Sequence, residues 1–257
     1  MHIFMTNDDG FSSKGIHLLA LSLSEIARIT VIAPETEMSS CSASLSLRKK
    51  LHLKKQRSYG ENIAVYSLSG TTGDCCKLAL EYWLAKDKPD LIVSGINNGF
   101  NTGSDCLYSG TVAGAMEGIF AGIPSLAVSA ETTEDVAFLS KAAEFTKEVV
   151  ETYFVNHHYK GILNLNIPLM KPDKIDGNHI KTAPLGLQHY TNVIIGETDK
   201  KEDMEFIMSG KPVGGEKEET DVYWARNGFI TITPLQWNQT DIDNLKNVEK
   251  IGKTFVD

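Results

Sequence analysis

The first ten residues, Met1 to Gly10, read MHIFMTNDDG, and they indicate the kind of fold that follows. His2 to Met5 is a short, largely apolar run that suits a buried strand, and it stops at a polar turn. From Ile16 to Ile26 the apolar residues take helical spacing. A strand that leads through a turn into a helix opens a βα unit, and ligands of such sheets gather beyond the carboxyl ends of the strands. The adjacent Asp8 and Asp9 in this turn therefore predict a cation site.

The alternation of strand and helix patterns continues as far as Pro168. Short β-branched or apolar runs predict further strands over Arg28–Ala33, Asn62–Leu68, Leu91–Ser94, Pro124–Ser129 and Gly161–Ile167. Helical patterns lie between them over Asp74–Ala85, Val112–Ala121 and Thr132–Tyr153. We therefore expect an α/β protein: a three-layer, Rossmann-like, doubly wound and mostly parallel sheet over residues 1–168.

The pattern changes after residue 168. The strand-like pieces His189–Ile195 and Met204–Met208 are separated by charged turns, which favours β-hairpins over further βαβ units. A short helix over Thr220–Asn227, a strand over Phe229–Thr233 and a terminal helix over Thr240–Lys250 follow. We expect residues 169–257 to form a β-hairpin and oligomerisation appendage that returns to the core and is not an independent domain.

Composition narrows the functional classes. The chain has 257 residues and a formal net charge of −8, which argues against binding the nucleic-acid backbone. No apolar run approaches the roughly 20 residues of a membrane span, and the N-terminus lacks a secretory signal, so we expect no membrane partner. The four cysteines form no CxxC pair, which favours a reducing cytoplasm and argues against zinc.

Three loops should meet at one edge of the sheet if the core strands are parallel. Asp8 and Asp9 follow the first strand, Ser39 and Ser40 follow the second, and Asn97 follows the Leu91–Ser94 strand. Carboxylate, hydroxyl and amide oxygens form a hard ligand set that suits Mg²⁺, Mn²⁺ or Ca²⁺. Taken singly, each of these signals is also explained by an Asx-turn or a left-handed turn residue, so their common location is the stronger argument.

The residues at the start of the predicted helix near Val112 have two possible roles. Ser109, Gly110 and Thr111 are typical of an N-cap, and the free backbone N–H groups of a helix start also bind anions. Neither a GxxxxGK[ST] P-loop nor a GxGxxG fingerprint occurs in the sequence. The histidines show no metal-ligand spacing and no pairing with a serine or cysteine motif, so a triad has no support.

The longer motifs resemble the survival protein SurE family of metal-dependent nucleotidases. The resemblance runs nearly end to end and rests on TNDDG (Thr6–Gly10), SGINNGFNTGSDCLYSGTVAGAMEG (Ser94–Gly118), LNLNIP (Leu163–Pro168) and TDVYWARNGFITITPL (Thr220–Leu235). It implies an enzyme of the 5′-nucleotidase type, a phosphoric monoester hydrolase. Such enzymes release phosphate from nucleoside 5′-monophosphates, and some members also act on 3′-monophosphates.

The resemblance also implies a site and a quaternary structure. It places one divalent cation per subunit, Mg²⁺ or Mn²⁺, on Asp8, Asp9, Ser39 and Asn97. Members commonly form homodimers or homotetramers through exchanged C-terminal segments. This chain departs from the family at Met38, where arginine is usual, and at Ser40, where glycine or alanine is usual, so Ser40 competes with Ser39 as a candidate ligand.

These residues predict hydrolysis by a metal-activated water. Asp8 or Asp9 would accept a proton from that water, while Asn101 and the Ser109–Thr111 helix start would hold phosphoryl oxygens. One alternative is an aspartyl-phosphate enzyme, although such enzymes space two acids as Asp-x-Asp. The other is a non-catalytic nucleotide sensor on a Rossmann-like fold, because a fold does not by itself imply a function.

Overall fold

The computed structural model describes residues 1–191, 194–196, 206–213 and 217–253. Within these ranges a nine-stranded sheet forms the centre of the molecule. Its strands are β1 His2–Thr6, β2 Arg28–Pro34, β3 Leu53–Lys55, β4 Ile63–Leu68, β5 Leu91–Asn98, β6 Ser125–Ala130, β7 Ile162–Ile167, β8 Ile180–Thr182 and β13 Ile230–Leu235. Their order across the sheet is β3-β4-β2-β1-β5-β6-β7-β13-β8.

The six strands from β4 to β7 in this order are all parallel. The order runs one way from β1 through β2 to β4 and the other way from β5 to β7, so the reversal lies between β1 and β5. This confirms the predicted doubly wound fold. Every residue of β1 is buried, as expected for a central parallel strand covered on both faces.

Helices cover both faces of the sheet and give the three predicted layers. Their bounds are α1 Lys14–Leu23, α2 Thr72–Leu78, α3 Gly110–Ala121, α4 Val136–Val149, α5 Asp221–Arg226 and α6 Ile242–Lys253. The first and fourth helices pack against each other on one face, and the second and third do so on the opposite face. Two π-helical turns, Ala79–Trp83 and Val150–Asn156, extend α2 and α4.

One predicted boundary is wrong in a way that affects the site. The strand expected over Leu91–Ser94 continues to Asn98, because β5 rejoins β6 after a shift of register between Ser94 and Asn97. Asn97 then pairs with Ser129. Gly95, Asn97 and Asn98, which suggested a loop, therefore lie on a bulged strand.

The segment after residue 168 contains the predicted hairpins. The strand β9 His189–Thr191 pairs antiparallel with β12 Lys211–Val213, and β10 Ile194–Gly196 pairs antiparallel with β11 Phe206–Met208. Met204, where the second strand was expected to begin, lies outside the described residues. The chain then returns to the core, because β13 pairs antiparallel with β7. None of the helices among the described residues is long and apolar enough to cross a membrane.

Candidate active site

Asp8 is held tightly at the start of α3. Its side chain is only 4% exposed, and the Thr111 hydroxyl donates a hydrogen bond to Asp8 Oδ1. The backbone N–H groups of Gly110 and Thr111 also donate to this carboxylate. Gly110 has to lack a side chain, because a Cβ there would lie 2.8 Å from both Cβ and Oδ2 of Asp8. Burial raises the pKa of Asp8, and these hydrogen bonds act against that rise.

Asp9 is more open and has a different environment. It is half-buried, and the backbone N–H of Asn98 donates to Asp9 Oδ2 at 3.2 Å. Burial first, and then the neighbouring charge of Asp8, raise the pKa of Asp9 to about 6. Two adjacent carboxylates with raised pKa values are an arrangement that a bound cation stabilises, because the cation restores the favourable field for both ionised forms.

Two further candidate oxygen ligands come from the loop after β2, which carries Ser39, and from the end of β5, which carries Asn97. The N–H of Met38 donates to the backbone carbonyl of Asp8 at 2.7 Å, and this bond ties the loop that carries Ser39 to the first turn. The amide nitrogen of Asn97 donates to the Gly99 carbonyl at 2.8 Å, which orients the amide, and no described residue donates a hydrogen bond to its oxygen. The exposed Ser39 donates to Glu37 at 2.7 Å.

A cavity of about 980 Å³ collects these groups. Of the residues predicted from the sequence, it is lined by Asp8, Asp9, Ser39, Asn97, Asn101 and Ser109, and also by the alternative ligand Ser40. The two loops and the end of β5 therefore meet at one edge of the sheet, as the parallel topology predicts. That these side chains bind a metal and a phosphate stays a prediction.

Gly110 and Thr111, which were predicted to hold phosphoryl oxygens, contact Asp8 and are not part of the cavity wall. Thr111 is fully buried. The Ser109 hydroxyl accepts from the N–H of Val112 at 3.0 Å, which makes Ser109 the N-cap of α3. The carboxylate of Asp8 therefore occupies the anion-binding helix start that the sequence indicated.

Asn101 is positioned by two asparagines that the sequence reasoning did not select. Its backbone N–H donates to Asn166 Oδ1 at 2.8 Å, and its carbonyl accepts from Asn164 at 2.8 Å and from Asn166 at 3.2 Å. Its own side-chain amide donates to Ser129 at 2.8 Å. Both β7 asparagines are fully buried in an otherwise apolar strand, and that pattern was the available signal.

The charges of the residues that line the cavity suit a bound cation. Four acidic side chains line it, namely Asp8, Asp9, Glu37 and Asp105, and among the described residues the wall includes neither lysine nor arginine. A phosphate dianion would be repelled from such a wall unless a cation came with it. No group of three or more His, Cys, Asp and Glu in the described ranges is arranged to hold a metal, so the candidate ligands are the mixed oxygen set.

The remaining wall comes from residues that the sequence did not identify. Phe100 and Tyr108 belong to the central motif, whereas Gln188, His189 and Tyr190 come from the appendage. Phe100 and Tyr108 are next in sequence to the predicted site residues Asn101 and Ser109, so the sequence could have suggested them as site residues. Nothing in the sequence placed the appendage residues here, because only the folded chain brings β9 to this edge.

Comparisons with known proteins show which proteins this chain is similar to. The family described as Survival protein SurE matches residues 3–192. The chain is 35% identical over 254 residues to the 5′-nucleotidase SurE of Alkaliphilus metalliredigens, covering 98% of this chain and 99% of that protein. It is 39% identical over 250 residues to the 5′-nucleotidase SurE of Caldanaerobacter subterraneus, covering 96% and 95%. The crystal structure of the SurE protein from Aquifex aeolicus superposes with a TM-score of 0.82 at 32% identity, covering 98% of this chain and all of that one.

Proposed function

Because the chain belongs to the SurE family, we infer that it is a 5′-nucleotidase, a phosphoric monoester hydrolase that converts nucleoside 5′-monophosphates to nucleoside and phosphate. One structural observation carries this inference beyond family membership. Asp8 and Asp9, from the turn after β1, and Asn97, from β5, line one cavity at the point where the strand order reverses. Ligands of doubly wound sheets bind at that point. We also propose 3′-monophosphates as further substrates.

The proposed metal ligands are Asp8, Asp9, Ser39 and Asn97, for one Mg²⁺ or Mn²⁺ per subunit. The donor set supports this, because the oxygens are hard and the cavity wall carries only acidic charges among its described residues. A bound cation would supply Lewis-acid chemistry, polarising a phosphoryl oxygen and lowering the pKa of a water molecule.

The side chains around the proposed metal have separate roles in metal binding, proton transfer and phosphate binding. Asp8 accepts hydrogen bonds from Thr111 and from the helix start, so its carboxylate is fixed in place. Asp9 is more exposed and makes one such bond, so we propose that it accepts the proton of the attacking water. Asn101 and Ser109 line the cavity and would contact phosphoryl oxygens. Gly110 and Thr111 would instead hold the Asp8 carboxylate in place.

The direct test measures phosphate release from a panel of nucleoside 5′- and 3′-monophosphates, with Mn²⁺, with Mg²⁺ and with EDTA. We expect release that depends on the metal, and its loss in Asp9→Asn, which keeps the size of the side chain. Asp87→Asn, at a surface ion pair with Arg28, is the matched control. No release with any metal would contradict the proposal and favour the nucleotide sensor. A trapped phosphoenzyme would favour the aspartyl-phosphate mechanism.

We further propose that residues 169–257 act as an appendage through which the protein forms homodimers or homotetramers. The helix α6 carries an exposed apolar stripe at Ile242, Leu245, Val248 and Ile251. The protein also has a largely apolar cavity of about 870 Å³, lined in part by Phe120 and Trp237. An exposed apolar stripe and an apolar groove are the features expected at an interface between subunits.

The cytoplasm is the proposed location. The support is the chemistry of the four cysteines, which are all free: Cys75 and Cys76 are buried, and Cys41 and Cys106 are half-buried. Burial raises the pKa of Cys106 to about 12, so this thiol stays protonated and unreactive near neutral pH. Free thiols in this number are typical of a reducing compartment.

A further inference from the structure

Three aromatic side chains line the same cavity as the two aspartates, namely Phe100, Tyr108 and Tyr190. Tyr108 is 65% exposed and Tyr190 is 43% exposed, although both line a cavity. Large rings left uncovered inside a cavity are typical of contact with a flat, partly apolar group of a ligand. A metal ion and a phosphate would fill only part of this space, and neither would use these rings.

The Tyr190 ring is held in place before any ligand binds. Its hydroxyl donates to Asp105 Oδ2 at 2.5 Å. Two residues earlier, the N–H of Gln188 donates to the Ser104 hydroxyl at 3.1 Å, and that hydroxyl donates to the Gln188 carbonyl at 3.2 Å. These bonds fix the start of β9 against the turn over residues 103–107. A ring fixed in this way loses little conformational entropy when a ligand stacks on it.

A buried carboxylate joins the same two segments at a deeper level. Asp221, at the first position of α5, accepts from the N–H of Gly103 at 2.8 Å and from the N–H of Gly186 at 2.7 Å. Gly103 approaches so closely that a Cβ there would lie 2.6 Å from the Gly186 carbonyl oxygen. The appendage is therefore attached to the central motif next to the cavity, and its residues are a fixed part of the wall.

The second tyrosine lies next to the predicted phosphate site. Tyr108 immediately precedes Ser109, the N-cap of α3, and the first turn of this helix binds Asp8. Consecutive Cα atoms are about 3.8 Å apart, so Tyr108 is within a few ångströms of the residues proposed to hold phosphate. Tyr190 lines the same cavity from the appendage side. A ligand with its phosphate at the aspartates can thus reach both rings.

We propose that Tyr108 and Tyr190 form a nucleobase subsite. The phosphate of the substrate lies at Asp8, Asp9 and Asn97, and its base packs against these two rings. This inference rests on the proposed nucleotidase function. It adds the part of the site that makes the protein bind a nucleotide more tightly than a simple sugar phosphate. Because every base has a π-face, stacking accepts purines and pyrimidines alike, and the subsite contributes affinity more than discrimination among bases.

The test compares AMP with ribose 5-phosphate, which has the same phosphate ester and no base. With saturating Mn²⁺, we expect Tyr108→Ala and Tyr190→Ala each to lower kcat/KM for AMP by roughly 5- to 150-fold, the range of a lost base–aromatic stack. Hydrolysis of ribose 5-phosphate should stay within about twofold of wild type. Tyr190→Phe keeps the ring and loses the bond to Asp105, so it should lose less than Tyr190→Ala.

Tyr82→Ala is the matched control, because this tyrosine is 76% exposed and is not part of the cavity wall. It should leave both substrates unchanged. Equal losses for AMP and ribose 5-phosphate in the Tyr108 and Tyr190 variants would overturn the subsite, since the rings would then serve only the fold or the phosphate site. Unchanged turnover of AMP would overturn it as well. Thermal melting checks that each variant is folded.

A binding measurement separates this inference from the proposed function. Saturation-transfer NMR with adenosine, which carries no phosphate, should detect binding to the wild-type chain and loss of binding in the Tyr108→Ala and Tyr190→Ala variants, with ribose as the blank. If the chain released no phosphate from AMP but bound adenosine in this way, the nucleotidase function would fail and the subsite would stand. If wild type and variants gave the same adenosine signal, the subsite would fail.

Discussion

Thr111 shows how one hydroxyl can control the proposed metal ligand. It is fully buried and donates to Asp8, so its removal leaves a buried carboxylate without its side-chain donor. A hydrogen bond to a charged group contributes about 1.5–3 kcal/mol. We therefore expect Thr111→Val to weaken Mn²⁺ binding, measured by calorimetric titration, by roughly 10- to 150-fold. Thr111→Ser keeps the hydroxyl and should bind Mn²⁺ like wild type; equal losses in both variants would argue against this role.

The raised pKa of Asp9 predicts how metal affinity depends on pH. The pKa is about 6 in the folded, metal-free chain, and the cation needs the ionised carboxylate. As the pH falls below about 6 the proton competes with the metal, so the apparent Mn²⁺ affinity should fall about tenfold per pH unit, and it should level off above pH 7. Titrations from pH 5 to 8 measure this. Asp9→Asn should bind weakly and lose the transition near pH 6; a flat wild-type profile would contradict the assignment.

The sequence predicted the residues that meet in the cavity better than it predicted their contacts. Asp8, Asp9 and Ser39 follow parallel strands and Asn97 lies near the end of one, and topology alone brings such residues to one edge. That Asp8 would occupy the start of α3 was not predictable, because the same Ser109–Thr111 pattern fits an open anion site and one already filled by a side chain.

At the scale of elements, β7 positions the central motif as well as building the sheet. The side chain of Asn166 accepts from the N–H of Asn101 and donates to its carbonyl. We expect Asn166→Leu to leave the buried Asn101 N–H unpaired and to lower the free energy of unfolding by about 1–3 kcal/mol. It should also reduce kcat for AMP, because Asn101 lines the cavity.

Urea unfolding and steady-state kinetics measure the two effects of Asn166→Leu separately. Asn156→Leu is the control, since Asn156 is exposed at the end of a π-helical turn and should change neither quantity. A variant that is destabilised but keeps the wild-type kcat would show that β7 supports the fold alone. A wild-type unfolding midpoint in Asn166→Leu would contradict the hydrogen-bond argument.

The boundary of β5 shows why local patterns mislead at a functional edge. Gly95, Asn97 and Asn98 are turn formers, so the sequence predicted a loop there. The structure pairs Asn97 and Asn98 with Ser129 and Ala130 of β6, because that strand extends far enough to offer partners after the register shift. Pairing with a neighbouring strand depends on the tertiary structure, and here it overrides the turn propensity of these residues.

For the whole molecule, the alternation of strands and helices was enough to predict the doubly wound core, since right-handed βαβ crossovers leave few arrangements. The far edge of the sheet was not predictable in the same way. The strand predicted over Phe229–Thr233 exists as β13, but its antiparallel pairing with β7 and its parallel pairing with β8 connect segments distant in sequence. No local signal fixes such pairings, so the division at residue 168 stays a proposal.

The exposed stripe on α6 leads to a prediction about assembly. A single α6 face places Leu245, Val248 and two isoleucines in water, each more than half exposed, which is unfavourable unless another surface covers them. If the protein self-associates through its C-terminal segment, sedimentation should show a dimer or tetramer for the wild type. Leu245→Asp with Val248→Asp should shift it toward the monomer. Lys250→Asp changes the net charge by the same amount on the opposite face of α6 and should not. Assembly that survives the double substitution would mean that another surface joins the subunits.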